Sequence, residues 1–141
     1  MKLSKVSFFF LVALFFTVGC TEVECKKRYV TSVTVQALPS GFDLFSDPDL
    51  RCDITPSNSN YWSYISNSID NVSGLPITFS FVSQNILLSK ETWSMRLVDE
   101  DAIGEDIIYV SEFDPYADTG GTISFYQDGI EVMSLNYSES E

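Results

Sequence analysis

The chain has 141 residues, with eight Lys and Arg against twenty Asp and Glu, no His, and a formal charge of −12. Such a surface repels nucleic acid, whose phosphates need Lys and Arg. The missing His excludes Ser-His-Asp and Cys-His catalysis and His-ligated zinc. A hydrophobic share of 45%, with eleven Phe and seven Tyr, excludes a disordered acidic chain.

The first segment, residues 1–19, reads as a secretory signal peptide. Lys2 and Lys5 form its positive start, and an apolar run from Val6 to Val18 follows, interrupted only by Ser7 and Thr17. A spanning helix needs about 20 apolar residues, so the run is too short for an anchor of that kind. Val18, Gly19 and Cys20 close it. This ending resembles the signal of a bacterial lipoprotein, which implies acylation of Cys20 as the first mature residue. Acyl chains there, palmitate among them, would hold the chain peripherally at a membrane. The resemblance further implies a cell-envelope lipoprotein at the outer membrane. Residues 20–28 are then a lipidated tether, in which Lys26, Lys27 and Arg28 suit either anionic headgroups or plain solvation. Of the other cysteines, Cys52 alternates with Leu50 and Ile54 and faces the core as a small hydrophobe. Cys25 lies in the tether, and a Cys25–Cys52 disulfide stays open.

Residues 29–137 form one domain of strands. Val33, Val35 and Ala37 alternate with polar neighbours. Pro39 to Pro48 is a loop punctuated by Pro, Gly and Asp. In the next strand Leu50, Cys52 and Ile54 face inward while Arg51 and Asp53 face out. Tyr61 to Ile65 reads as a short edge strand, Asn67 to Gly74 as a polar connection, and Ile77, Phe79 and Phe81 as another inward set. Ile86 to Leu88 is a brief strand or turn. Trp93, Met95 and Leu97 alternate with Ser94 and Arg96, then the chain enters an acidic stretch and resumes as a strand from Ile107 to Phe113. Thr122 to Tyr126 and Ile130 to Tyr137 form a hairpin around Asp128-Gly129. The change of apolar parity between Val132 and Met133 predicts a bulge there. Residues 138–141 read as a disordered acidic tail. No segment has a helical period, so the fold expected is an all-β, eight-stranded antiparallel β-sandwich.

The acidic stretch is the candidate site. Asp99 and Asp101 keep the parity of Leu97, Ala102 to Gly104 read as a loop tip, and Asp106 opens the next strand. Clustered carboxylates supply the oxygens that calcium prefers. An EF-hand is excluded: Asp101 and Gly104 fit its loop, but Ile103 and Val110 stand where Asp or Asn and Glu are required.

A second loop carries Leu38, Pro39, Asp43 and Ser46-Asp47-Pro48. Together with Asp99, Asp101 and Asp106 it resembles the C2 domain, from about Val30 to Tyr137. The resemblance implies a sandwich whose apical loops bind calcium and phospholipid. It places Asp47 in the Ser-Asp-Pro position, Asp99 and Asp101 as the paired aspartates and Asp106 as the closing one. The family's first-loop aspartate falls at Gly41 here, and Asp43 is the nearest candidate. Exposed apolar tips beside a cation site suit membrane or partner contact; Phe42, Leu44 and Phe45 fill that role on one loop and Ile103 on the other.

The function expected is therefore a non-catalytic, lipid-anchored binding module of the cell envelope. It carries calcium and has a calcium-dependent lipid or protein partner. The alternative is an ion-free structural or assembly lipoprotein that contacts proteins. Carboxylates near Trp62 and Trp93 leave glycoside chemistry as the remaining enzymatic option. Trp93 reads as core by parity.

Overall fold

The computed structural model describes residues 26–42, 47–101 and 104–141, with the side chain of Asp101 outside the description. Nine strands follow in order: β1 Lys27–Val35, β2 Leu50–Pro56, β3 Tyr64–Ile65, β4 Ile77–Ser80, β5 Leu87–Leu88, β6 Trp93–Asp101, β7 Gly104–Phe113, β8 Thr122–Gln127 and β9 Ile130–Ser140. One 3₁₀ turn, Val82–Gln84, precedes β5. All strand pairings are antiparallel. One sheet has the order β4-β1-β9-β8, with two-residue β5 added against β1; the other has the order β3-β2-β6-β7. The result is the expected antiparallel β-sandwich, with nine strands among the described residues where eight were expected.

The alternation read from the sequence is what fills the core. Leu50, Cys52 and Ile54 from β2 and Met95 and Leu97 from β6 are fully buried. They meet Val33 and Val35 of β1 and Met133 and Leu135 of β9. Each such aliphatic side chain contributes about 1.5–3 kcal/mol when removed from water. Trp93 is 2% exposed and stacks on Tyr64 at 6.2 Å, so it belongs to this core. Phe113 and Phe125 meet edge to face across the sandwich at 5.5 Å.

The β8–β9 hairpin turns at Asp128 and Gly129, whose φ values of 53° and 80° are the left-handed pair that a two-residue turn requires. Phe125 faces Met133 and Tyr126 faces Glu131, leaving Val132 as the extra residue of the expected bulge. A bulge in β1 at Thr31 lets both Val30 and Val33 reach the core.

Three boundaries differ from the sequence reading. β1 begins at Lys27, and Arg28 is 5% exposed. Its guanidinium lies between the rings of Tyr116 and Tyr137, at 4.8 and 4.4 Å from their centroids, and pairs with Glu139 at 3.0 Å. Arg28 is thus removed from any basic headgroup-facing cluster. The same contacts draw the C-terminus in: Ser138, Glu139 and Ser140 extend β9 against Tyr29, Arg28 and Lys27, where a disordered tail was expected. The acidic stretch is the third difference. β6 runs through Asp101 and β7 starts at Gly104, so the expected loop is a tight hairpin with its acidic residues on the paired strands.

Strand directions define two ends. β2 leaves and β6 arrives at the acidic end. Lys27, Pro56, Trp93 and Phe113 lie at the far end. Among the described residues no helix is long and apolar enough to cross a membrane.

Candidate functional site

The acidic end is assembled from three segments. Asp99 faces Asp106 across the β6–β7 pair, and Glu100 faces Glu105. The loop entering β2 is fastened to this hairpin. The Asp49 N–H donates to Asp99 Oδ1 at 3.0 Å, and the Glu100 N–H donates to the Asp49 carbonyl at 2.8 Å. The segment 69–72 joins from the other side: the Asn71 N–H donates to Asp49 Oδ1 at 2.8 Å, and the Val72 N–H to the Pro48 carbonyl at 2.9 Å. The segment following Pro48 is thus fastened to the β6–β7 hairpin through Asp49, and Asn67 to Gly74, read from the sequence as a mere connection, contributes through Asn71 and Val72.

Of the residues expected to hold an ion, Asp47 is exposed, with a left-handed φ of 48°, Asp99 is half-buried, and Asp106 is exposed. Asp43 lies outside the described residues, as does the side chain of Asp101. Among the described residues no group of three or more His, Cys, Asp or Glu is arranged to hold a metal ion. The donor chemistry, all carboxylate, suits a hard cation such as calcium. The described geometry supplies Asp99 and Asp106 as facing neighbours. Of the apolar tips, Phe42 is 41% exposed, its N–H donating to the Pro39 carbonyl at 3.2 Å. Leu44, Phe45 and Ile103 lie outside the described residues, as do Cys20 and Cys25.

Two like-charged pairs facing across a hairpin are destabilising, and the structure answers one of them directly. Arg51 donates to Glu100 Oε1 at 2.7 Å and also to Glu105, bridging the Glu100–Glu105 pair. Its Nε and Nη2 form a two-pronged contact with Asp53, at 2.9 and 3.0 Å, Nη2 being shared with Glu105. Arg96 joins from β6, with Nε 2.7 Å from Asp53 Oδ2 and Nη2 2.9 Å from Glu105 Oε2. Ser68 donates to the second oxygen of Glu100. Trp62 covers Arg96, whose guanidinium carbon lies 4.7 Å from the ring centroid. Asp53 is fully buried and Arg51 is 7% exposed, although both face away from the apolar core.

This network shifts its members. The hydrogen bond from Arg51 holds the Glu105 carboxyl below its ordinary range, against a smaller opposing effect of burial. The hydrogen bond to Asp53 raises Arg51 further into its charged form. Burial, followed by the nearby Asp53 charge, pushes the Cys52 thiol well up, and among the described residues this cysteine is unbridged and packs in the core. Sequence reasoning identified Arg51 and Asp53 as outward-facing and stopped there. The available signal was the opposite charge two residues apart on one strand face, with a second Arg on the adjacent strand.

Comparison with known proteins bears on the fold. No protein-family model matches the sequence, and no curated protein matches it. Among solved structures, a C2 domain aligns over 83% of this chain and 100% of its own length, with a TM-score of 0.52 and 16% identity. Human GIVD cytosolic phospholipase A2, in complex with methyl gamma-linolenyl fluorophosphonate, aligns over 82% of this chain, with a TM-score of 0.55 and 16% identity. The match spans only 17% of that enzyme. The same enzyme with that inhibitor and terbium chloride gives a TM-score of 0.56, again at 16% identity and over 18% of its length. With its two antiparallel sheets and the acidic hairpin fastened at one end, the chain therefore carries a C2-like β-sandwich domain.

Proposed function

We propose that this domain is a non-catalytic binding module of the cell envelope. It is anchored by acyl chains on Cys20 and docks through its acidic end on a phospholipid surface, with calcium as the bridging ion. The observation that carries the reading is the fastening of the Asp49 segment to Asp99, with Asp106 opposite. It supports a common end of the sandwich for Asp49, Asp99 and Asp106, and Phe42, in the loop that precedes β2, is exposed. Asp47, Asp99 and Asp106, with Asp43 and Asp101, would hold the ion. The ion would relieve repulsion among these carboxylates and link them to lipid phosphate. The terbium complex of the similar enzyme adds support, because terbium is a hard cation that takes oxygen ligands as calcium does. On this reading Leu44, Phe45 and Ile103 join Phe42 in the contact.

The test is thermal unfolding with calcium or magnesium at constant ionic strength, paired with co-sedimentation on phosphatidylserine vesicles. Calcium should raise the melting temperature and bring the protein down with vesicles, and magnesium should do less, because it gives up its waters reluctantly. Asp99→Asn with Asp101→Asn should abolish both effects; Asn keeps an acceptor for the Asp49 N–H. A melting temperature unmoved by calcium would leave the second reading, an ion-free assembly module. That reading is favoured by the Arg51 bridge, which steadies the Glu100–Glu105 pair without a metal.

A further inference from the structure

The far end of the β2–β6–β7 face carries a feature that cation-dependent docking does not use. Two adjoining clefts share Ser57, one of about 160 Å³ and one of about 430 Å³. The smaller is lined by Tyr61 and Trp62 together with Thr55, Ser57 and Ser94. The larger continues past Asn58 to Glu91 and Glu112. We propose that these two clefts, which share Ser57, bind a short neutral or amino-bearing oligosaccharide, with Tyr61 and Trp62 as the stacking platform.

The argument begins with exposure. Tyr61 is 73% exposed, and its neighbour Trp62 is half-buried, held against Arg96. Large aromatics side by side at the surface combine an apolar face with a polar handle. That combination matches a sugar ring, which has an apolar C–H face and a rim of hydroxyls. The cleft supplies partners for the rim. Ser57 and Ser94 lie 2.7 Å apart, oxygen to oxygen. Thr55 Oγ1 sits 2.9 Å from the Tyr61 carbonyl and 3.0 Å from the Ser63 hydroxyl. Ser59 donates to the same carbonyl at 2.8 Å, and Asn58 donates to Glu91 at 3.0 Å. Each hydroxyl has two acceptor lone pairs and a donor that rotates to suit. They are already positioned by one another, so little ordering is left to pay for on binding.

Charge narrows the ligand. Glu91 and Glu112 border the larger cleft on a chain of net charge −12, which disfavours uronate or sulfated glycans and tolerates neutral or protonated amino sugars. The cleft opens beyond Pro56 and Trp93, at the opposite end of β2 and β6 from Asp49 and Asp99, so both sites can be filled at once.

The test is isothermal titration of the full chain with a panel of neutral trisaccharides: gluco-, manno-, galacto- and N-acetylglucosamine-configured. A glucosamine trimer and a galacturonate trimer complete the panel, and tryptophan fluorescence is followed in parallel. At least one neutral or amino trimer should bind and shift the emission of Trp62, and the galacturonate should not bind. Tyr61→Ala should weaken that binding by about tenfold or more, the loss of one stacked ring. Its melting temperature and calcium response should stay unchanged, because the residue is at the surface. Trp62→Phe should retain binding better than Trp62→Ala. Silence across the neutral and amino panel overturns the proposal, as does equal binding of galacturonate or full affinity in Tyr61→Ala.

Discussion

Asp53→Asn is the perturbation most directly dictated by the structure. The wild-type carboxylate accepts from Arg51 at 2.9 and 3.0 Å and from Arg96 at 2.7 Å, and it is fully buried. Asparagine keeps the shape but has one acceptor oxygen in place of two, and its amide turns a donor toward the guanidinium groups. Two largely buried cations are left with Glu100 and Glu105 as the remaining carboxylates. Breaking a buried ion pair from one side costs about 3–5 kcal/mol, because the stranded charge stays desolvated. Solvent screening removes little of this, since neither Asp53 nor Arg51 is open to water. The assay is urea unfolding at neutral pH, comparing midpoints at equal slope, which isolates stability from changes in the denatured state. A loss below about 1 kcal/mol, the range of exposed pairs, would refute the reasoning.

Three further outcomes follow from the same structure. The hydrogen bond from Arg51 lowers the Glu105 pKa, so its contribution is present above the ordinary carboxylate range and is lost as pH falls through the lowered folded value. Glu105→Gln should therefore flatten the acid limb of the urea-midpoint profile below about pH 4; an unchanged limb would contradict the assignment. Leu97→Ala removes a fully buried side chain and should cost about 2–5 kcal/mol in the same unfolding assay. Cys20→Ser should abolish metabolic labelling with a fatty-acid analogue; label retained in the variant would remove the proposed anchor.

Much of the fold was legible because one face of each strand is apolar and the other is not. The sets Leu50–Cys52–Ile54 and Trp93–Met95–Leu97 declared both strand and inward face, and Asp128-Gly129 declared its turn. What stayed hidden depends on cross-strand register. Whether Glu100 stands opposite Glu105, within reach of Arg51, is decided by how β6 pairs with β7 and by the shift beyond Leu97. No local pattern encodes that. The same limit hid the pairing of Asp99 with Asp106: parity and strand start were readable, but that the two stand opposite each other was not. Arg28 misled for a related reason, since its aromatic and acidic partners Tyr116, Tyr137 and Glu139 lie far along the chain.

The placement of the first strand has a consequence for reach. β1 starts at the far end, and β6, nine residues long, separates that end from the acidic hairpin. At about 3.3 Å per residue this separation is roughly 30 Å. From Cys20 to Lys26 an extended chain spans at most about 22 Å. Under the proposed anchor at Cys20, the far end of the sandwich is the one nearer the acyl chains, and the hairpin of Asp99 and Asp106 is at the other. For that hairpin to meet the bilayer that holds the anchor, the sandwich would have to lie over, and its excess of Asp and Glu over Lys and Arg opposes contact with anionic lipid. On the proposed reading, the surface that the acidic end meets lies about the length of the sandwich away from the anchor.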